Sequence, residues 1–503
     1  MLGEKPIARL LLKFSLPCVL ALLVGSVYNI VDQMFIGNSK LGYLGNAATG
    51  VSFPIICLSN AIAWCLGDGA AAFLSICAGR KDSESAHKCV GTGIVATFIF
   101  SIVLSVVSIV FNKPLMTLFG ASEQTLEMAC DYFVILALFF PFYNLMGCMN
   151  SMIRADGSPT YAMIALSSGA ALNIILDPIC IYLLDWGIKG AAIATVVGQL
   201  VSCLLCFIYF RKPKTFTLTR KSFKINMPML QNLLVMGGST FIIQVAIVVM
   251  NILSNVTLFK FGQASIYGSD IPISVFSIQT KVFTIVANIA VGIALGGQPI
   301  LGYNYGAGKF DRVRKAYKEI LVTSLTVGLI ATLIFIFKPE LVINLFGKQS
   351  PLYMEFAVRS FRIFLCLHFV TCFIKISAIF FQSIGKPLQS MATSLSRDLI
   401  CFVLFTIVLS NLFESQNPGT GIYGVLVAGP LSDFVAGIVI LILTIQFFKK
   451  LKTMKQIDSS SSARIEESKP GVIVTIARMH GTKGKEVGEA LAKRMGVPYY
   501  SKD

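Results

Sequence analysis

The sequence predicts an all-α polytopic membrane protein with twelve transmembrane helices in two six-helix repeats, followed by a short C-terminal α/β fragment. The first observation is composition: the 503-residue chain is 55% hydrophobic and only 13% charged, whereas soluble proteins carry about 25% charged residues. The second is that the apolar residues form long runs without strand-like alternation, separated by short basic loops. The third is that three short motifs recur in the second half of the chain.

Twelve apolar runs are each long enough to cross a bilayer of about 30 Å as a helix. The chain begins with a polar stretch and the first run is a full span, so we expect it to remain a helix and not a cleaved signal sequence. The predicted spans are Phe14–Gly37, Phe53–Cys77, Thr92–Phe111, Met128–Met152, Tyr161–Leu184, Ala191–Phe210, Leu230–Ser254, Ile271–Leu295, Ala316–Phe337, Phe356–Phe381, Leu388–Leu412 and Gly424–Phe448.

The distribution of basic residues predicts the orientation of these spans. The chain has a net charge of +17 from 42 lysines and arginines. More than half of them lie at the N-terminus, in alternate loops or just after the last span. By the positive-inside rule, this pattern places both ends of the membrane part in the cytoplasm and predicts a multi-pass protein of the cell (plasma) membrane. Because the basic residues flank spans, we do not expect nucleic-acid binding.

The recurring motifs indicate an internal duplication, with matching turns about 230 residues apart. Six spans per half is an even number, so both halves point the same way. We expect them to be related by a pseudo-two-fold axis along the membrane normal, with the substrate path between them. The matched motifs are Ala78-Gly79-Arg80 with Ala307-Gly308-Lys309, Gly157-Ser158-Pro159 with Gly385-Lys386-Pro387, and Gly187-Ile188-Lys189-Gly190 with Gly421-Ile422-Tyr423-Gly424.

These boundaries divide the chain into five predicted parts. The final 33 or so residues start with a strand-like run and continue into a Gly-containing turn and a helical pattern, which is too short for a stable α/β domain. The parts are a first six-helix bundle (1–210), a cytoplasmic connecting loop (211–229), a second six-helix bundle (230–450), a polar linker (451–470) and the incomplete α/β segment (471–503).

Polar residues inside the first-half spans are the strongest candidates for a functional site. Asp32 lies deep in the first span. A charge there is costly unless it is neutralised, paired or in contact with water. Asn173 and Asp177 are four residues apart in the fifth span and share one helix face, while Thr195 lies in the sixth. Together they suit either a hard cation held by oxygens or a shared proton. The alternative is that these groups only bond to neighbouring helices.

Other polar residues are secondary candidates. Asp68 in the second span either contributes to the path or pairs with a nearby base. Arg397 and Asp398 are adjacent, so they should point to different helix faces and not pair with each other. Histidines and cysteines show no metal-ligand grouping, so no cofactor and no metal other than Na⁺ is expected. Further residues that could line a path include Gln33, Gln199, Lys281 and Lys375.

Four motifs resemble the multidrug and toxic compound extrusion (MATE) transporters: Val31–Gly37, Arg154–Pro159, Asn173–Pro178 and Gly187–Ala192. The acid pair Asp32/Asp177, together with the lack of acids in the seventh span, is similar to the DinF-like branch. The resemblance covers about residues 5–450.

The resemblance implies two six-helix bundles in a V and drug efflux driven by inward H⁺ or Na⁺. It places the ion site on Asp32, Asn173, Asp177 and Thr195, and bending of the first helix near Pro17. We expect a monomer whose partners are membrane lipids and small organic, drug-like molecules.

The C-terminal segment resembles the opening of a cytidylate-kinase-like P-loop domain. The similar residues are Val474–Arg478 and Gly481–Gly488. The loop lacks the Ser or Thr that follows the lysine of a strict P-loop, and the chain stops before any catalytic segment. We therefore predict that the segment has no kinase activity and that the protein is a transporter and not an enzyme.

Three functions remain to be weighed. The leading one is a secondary active antiporter that exports drugs or organic cations in exchange for H⁺ or Na⁺. The second is a lipid or lipid-linked oligosaccharide flippase of the same superfamily, which basic cavity residues would suit. The third is a membrane-anchored nucleotide kinase, for which twelve duplicated spans are far more than anchoring needs. The paired acids favour the exporter.

Overall fold

The structure is a computed structural model that describes residues 2–466, except residue 219 and residues 347–349. The described chain is helical and contains no strand; the predicted α/β segment, 471–503, lies outside it. The helices are α1 (Ile7–Gly37), α2 (Gly42–Arg80), α3 (Ser83–Val110), α4 (Asn112–Leu118), α5 (Leu126–Leu138), α6 (Phe140–Ala155), α7 (Pro159–Pro178), α8 (Gly187–Tyr209), α9 (Met227–Gly262), α10 (Asp270–Gly306), α11 (Phe310–Phe337), α12 (Pro339–Ile343), α13 (Pro351–Phe364), α14 (His368–Ser383), α15 (Pro387–Leu395), α16 (Phe402–Gln416) and α17 (Gly421–Glu466).

Short non-α segments interrupt this series. One π-helical segment, Ile179–Leu183, continues α7, and another, Ser396–Cys401, joins α15 to α16. Two 3₁₀ turns lie at Arg220–Phe223 and Asn344–Phe346.

The predicted twelve-span membrane fold is confirmed. Within the described residues, ten helices are long and apolar enough to cross a membrane, and two bent pairs raise the number to twelve. The prediction was wrong in treating the fourth and tenth spans as continuous. α5 and α6 are bent by 55°, and α13 and α14 by 47°. At the first bend Pro141 lies in the first turn of α6, and its missing N–H favours a new helix start.

The order of helices repeats along the chain. In each half, three long helices are followed by a short one, a bent pair, a helix joined to a π-helical segment, and a last long helix. α1–α8 and α9–α17 are the two series, in agreement with the predicted duplication. The short helices α4 and α12 were not predicted.

The boundary between two structural units of the chain falls within α17. Residues 1–448 form the first unit, and the second begins at Lys449. α17 continues to Glu466, into the stretch predicted as a linker.

The two halves of the first unit pack along a seam, where α2 lies against α9 and α1 against α10. Small residues let the backbones approach closely at the side where α1 begins and α2 ends, here called the N-terminal side. A Cβ added at Gly237 would collide with the Cys65 carbonyl oxygen, and one at Gly292 would lie 2.7 Å from the Val19 Cα. Such close contact holds this side of the seam shut.

Toward the opposite side the seam-facing side of α10 carries exposed residues, and the region between α1 and α10 beyond their last contact is here called the cleft. On α10, the face that contacts α1 carries Gly292 and then Asn288, whose amide donates to the Ser26 hydroxyl at 3.0 Å. Further along the same face, Thr284 and Lys281 are exposed. Polar groups therefore line the cleft beyond the last bond between the two helices.

Asp156 anchors the loop between the two halves. Its side chain is buried in the turn after α6 and accepts bonds from the Tyr209 hydroxyl (2.6 Å) and the Lys214 backbone N–H (2.7 Å). It also accepts from the backbone N–H (2.7 Å) and the hydroxyl of Thr215. One carboxylate thus accepts hydrogen bonds from both backbone N–H groups and a side-chain hydroxyl at the start of the loop that follows α8.

Replacing Asp156 with alanine should destabilise the protein, because two backbone N–H groups lose a charged acceptor. We expect a loss of about 2–3 kcal/mol in the free energy of unfolding, measured by denaturant unfolding in detergent. Asp131→Ala is the matched control, since Asp131 forms a half-exposed pair with Lys189 and should change stability little. Equal effects of the two substitutions would contradict the anchoring role.

Candidate functional site

The four predicted site residues come together at the junction of α1, α7 and α8. All are buried: 6% of Asp32, 2% of Asn173, none of Asp177 and 7% of Thr195 is exposed. The Asn173 amide donates to Asp177 Oδ1 at 3.0 Å and to Thr195 Oγ1 at 3.4 Å. The side chains of Asp32 and Asp177 interact directly. The structure thus brings together the acid pair, the amide and the hydroxyl.

The end of α7 holds its two polar residues toward α1. Asn173 and Asp177 are one helical turn apart and so lie on the same face. After Pro178 the helix widens into its π-helical segment. There the Tyr182 hydroxyl donates to the Phe35 carbonyl oxygen of α1 at 2.7 Å, which ties the end of α7 to α1 beside Asp32.

A glycine contact brings α8 to the site. A Cβ added at Gly198 would lie 2.6 Å from the Gly169 carbonyl oxygen of α7 and 3.3 Å from the Asn173 Cβ. No larger residue fits at this crossing without moving a backbone. The close approach is what places Thr195, one turn earlier on α8, within reach of Asn173.

Three buried oxygens of the cluster have no hydrogen-bond partner among the described residues. They are Asp32 Oδ1, Asn173 Oδ1 and Asp177 Oδ2. Burying unpaired acceptors, two of them on adjacent acids, costs several kcal/mol unless a positive charge or a donor satisfies them. Carboxylate, amide and hydroxyl oxygens suit a hard cation or a proton. No group of three or more His, Cys, Asp or Glu side chains suited to a metal exists in the described chain.

Two tyrosines near the acids were missed by the sequence analysis. Tyr28 on α1 and Tyr132 on α5 both lie near Asp32 and Asp177. Tyr28 precedes Asp32 by one helical turn, and that spacing alone could have identified it. Tyr132 lies on a distant part of the sequence, and no local pattern pointed to it.

The secondary candidates near the site are arranged around this cluster. The Gln33 amide donates to the Thr49 hydroxyl at 3.2 Å, and the Gln33 side chain also interacts with Asp32. Gln199 is half-buried one turn after Thr195 on α8. α1 is continuous through Pro17, beside which lies a cavity of about 20 Å³.

Asp68 does not join the acid pair. It accepts from Arg154 at 3.1 Å and from the Ser151 hydroxyl at 2.7 Å, and more distantly from Thr240 of α9 at 3.5 Å. Of the two alternatives for Asp68, the pairing with a base is the one observed. Of these contacts, only the one with Thr240 crosses the seam between α2 and α9, near the N-terminal side.

Arg397 lies in a buried ion cluster of the second half, away from the acid pair. Its guanidinium bonds Asp398 at 2.8 Å and Asp433 at 2.9 Å, and Lys375 bonds Asp398 at 2.6 Å. The prediction that Arg397 and Asp398 do not pair was wrong. Both residues lie in the π-helical segment Ser396–Cys401, and the long arginine side chain reaches back to its neighbour.

Comparison with known proteins adds a family to this geometry. The family model described as MatE matches residues 17–179 and 233–410, more than half of the chain. "Multidrug export protein MepA" of Staphylococcus haemolyticus is 25% identical over 350 residues, covering 69% of this chain and 75% of the relative. The protein of the same name from Staphylococcus aureus is 25% identical over 321 residues, covering 64% and 69%.

Solved structures share the fold. "Outward-facing conformation of a multidrug resistance MATE family transporter of the MOP superfamily" has a TM-score of 0.81 and 22% identity, covering 90% of this chain and 98% of the other. "Crystal structure of MATE in the bent conformation" has a TM-score of 0.80 with the same identity and coverage.

Removing Arg397 should destabilise the second half, because two buried carboxylates would lose their shared cation. We expect Arg397→Leu to lower the free energy of unfolding by about 3–5 kcal/mol, measured by denaturant unfolding in detergent. Arg359→Leu is the control, since the exposed Arg359 bonds only the Tyr423 hydroxyl at 2.9 Å among the contacts described. A loss no larger than that of the control would contradict a structural role for the cluster.

Proposed function

The chain belongs to the MatE family of membrane transporters, and from that premise we propose that it is a secondary active antiporter that exports drugs or organic cations in exchange for inward H⁺ or Na⁺. The observation that carries the proposal is the set of three unpartnered oxygens on Asp32, Asn173 and Asp177. One bound cation could contact all three, whereas one proton would join the two acids and neutralise part of their charge.

The location of the site supports a link between ion binding and movement. Asp32 lies on α1, and α1 is also one of the helices that form the seam, through Ser15 and Val19 against α10. Pro17 lies between those two contacts, where the missing N–H weakens the helix. The adjacent cavity of about 20 Å³ leaves room for one water or a small shift of α1. Neutralising Asp32 would therefore change how α1 packs at the seam.

The cleft supports transport by alternating access. The seam is closed on the N-terminal side, and exposed polar residues of α10 lie beyond its last bond to α1. With both termini in the cytoplasm of a cell-membrane protein, as the basic residues predict, the cleft opens outward. Opening the other way requires separation at the glycine contacts between α2 and α9 and between α1 and α10.

The substrate class follows from the relatives, which are named multidrug export proteins. We assign residues 1–210 and 230–450 to two bundles that a drug-like molecule binds between, in a monomer surrounded by lipid. The DinF-like branch is supported by α9, which contains no acid, so that the ion site belongs to the first half. The kinase-like resemblance of 471–503 adds no activity to this proposal.

A flippase for lipids or lipid-linked oligosaccharides is the second candidate. Lys281 and Lys375 on the second-half helices are the observation that favours it, because both would suit an anionic headgroup. The acid pair favours the antiporter, since its unpartnered oxygens among the described residues suit a coupled cation or proton.

The test is export of ethidium from proteoliposomes under a pH gradient or a Na⁺ gradient imposed separately. We expect one gradient to drive export, and Asp32→Asn and Asp177→Asn each to reduce it to the level of empty liposomes. Asp185→Asn is the matched control, because Asp185 lies in a loop and pairs with Lys40 on the exposed surface. It should transport as the wild type does.

Two results would contradict the proposal. If neither gradient drives export by the folded protein, the antiporter function is contradicted and lipid-linked substrates are favoured. If both carboxylate variants still export ethidium at the wild-type rate, the acid pair has no part in ion coupling.

A further inference from the structure

We propose that the segment before α1, residues 2–6, is a latch that holds the N-terminal side of the seam shut and must release before that side can open. The inference rests on the alternating access of the proposed function, to which it adds one named element. The latch is formed by backbone carbonyl oxygens of the segment and by side chains at the end of α10 and the start of α11.

A single arginine of the second half holds the segment by its backbone. The Arg312 guanidinium of α11 donates to the Leu2 carbonyl oxygen at 3.2 Å and to the Lys5 carbonyl oxygen at 2.7 Å. It also donates to the side-chain oxygen of Asn304 at 3.0 Å. Asn304 is fully buried in α10, and its own amide donates to the Leu2 carbonyl oxygen at 3.2 Å. Asn304 therefore orients the arginine that gathers the carbonyl groups.

Gly3 lets the segment lie close to the second half. Its carbonyl oxygen accepts from the Lys309 ammonium group at 3.1 Å. A Cβ added at Gly3 would lie 2.9 Å from Lys309 Nζ and 3.0 Å from the Tyr303 Cε1 atom of α10. A larger residue would therefore displace the ammonium group from its acceptor or lift the segment away from α10.

The segment bridges the two halves because it continues directly into α1 of the first half. Leu2 lines a cavity of about 280 Å³ whose other walls include Cys77 of α2 and Tyr303 of α10. Beside this cavity the backbones of α2 and α10 touch, since a Cβ added at Gly79 would collide with the Tyr303 carbonyl oxygen. The segment thus spans the N-terminal end of the seam between the halves.

The bonds that hold the segment can break without unfolding a helix. Residues 2–6 lie outside α1, so their release breaks bonds between side chains and carbonyl groups and leaves the helical hydrogen bonds intact. Short segments of this kind open locally at a smaller free-energy cost than packed helices do. Separating α1 from α10 would carry Lys5 away from Arg312, so the N-terminal side stays shut while their bond persists.

Two native cysteines report separately on the latch and on the seam. Cys77 is 3% exposed in the wall of the cavity that Leu2 lines. Cys65 is 5% exposed within the seam, where its thiol donates to the Leu234 carbonyl oxygen of α9 at 3.7 Å. The rate at which N-ethylmaleimide labels each thiol is measured by peptide mass spectrometry on purified protein in lipid nanodiscs.

We expect Arg312→Gln to raise the labelling rates of both cysteines about tenfold, because losing a bond from a charged donor changes the open population by about that factor. Gly3→Val is a second variant that disturbs the same contacts from the segment and leaves α11 unchanged, and it should raise both rates. Arg314→Gln is the matched control, since Arg314 is exposed on the same helix. It removes the same charge and should label as the wild type does.

Three outcomes would overturn the latch. A rise for Cys77 alone would make residues 2–6 a local cover, and a rise for Cys65 alone would mean that the seam opens without their release. No rise for either cysteine in Arg312→Gln and Gly3→Val, or an equal rise in Arg314→Gln, would contradict the proposed bonds. The labelling requires neither an exported molecule nor an ion gradient, so a failure of ethidium export would contradict the proposed function separately.

Discussion

Two carboxyl groups buried side by side, on Asp32 and Asp177, are the constraint on which the first half depends. Within the part of the chain that the structure describes, each has an oxygen without a hydrogen-bond partner, as does Asn173 between them. Such a cluster is stable only when a cation, a proton or a water completes it. The structure around the acids, including the Gly169–Gly198 crossing and the Tyr182–Phe35 bond, holds the oxygens in place. In the function proposed above, these contacts preorganise the oxygens for a small positive charge.

The second half also buries carboxylates, but it balances their charge with basic side chains. There, Arg397 and Lys375 balance Asp398 and Asp433 within one buried cluster. The charges of that cluster balance one another without an external ion, and the function proposed above therefore places ion coupling in the first half. The two halves thus share an order of helices but differ in their electrostatics: the first holds an acid pair with unpartnered oxygens among the described residues, and the second holds a charge-balanced cluster.

Much of this arrangement could be predicted from the sequence. Run length and the repeated turn motifs indicated twelve spans in two halves, because burial in lipid permits little except helices. The spacing of Asn173 and Asp177 placed both on one face, and the cost of an acid in lipid pointed to Asp32. The bends between α5 and α6 and between α13 and α14 could not be predicted by run length, since each bent pair is as apolar as a straight span. The Arg397–Asp398 pair was missed because adjacent residues diverge in a regular α-helix, and the π-helical geometry there depends on tertiary packing. Tyr132 approaches the acids only after folding.

The most direct measurement is the number of cations bound per molecule of purified protein, with ²²Na⁺ binding and proton uptake measured in parallel. We predict that wild-type protein binds about one Na⁺, or takes up about one proton over the transport pH range, in a single-site equilibrium. The Asp32→Asn/Asp177→Asn double variant should lose that binding while retaining its helical content and detergent stability. Unchanged binding in the double variant, or no binding of either ion by the folded wild type, would contradict the central claim that these oxygens form the coupling site.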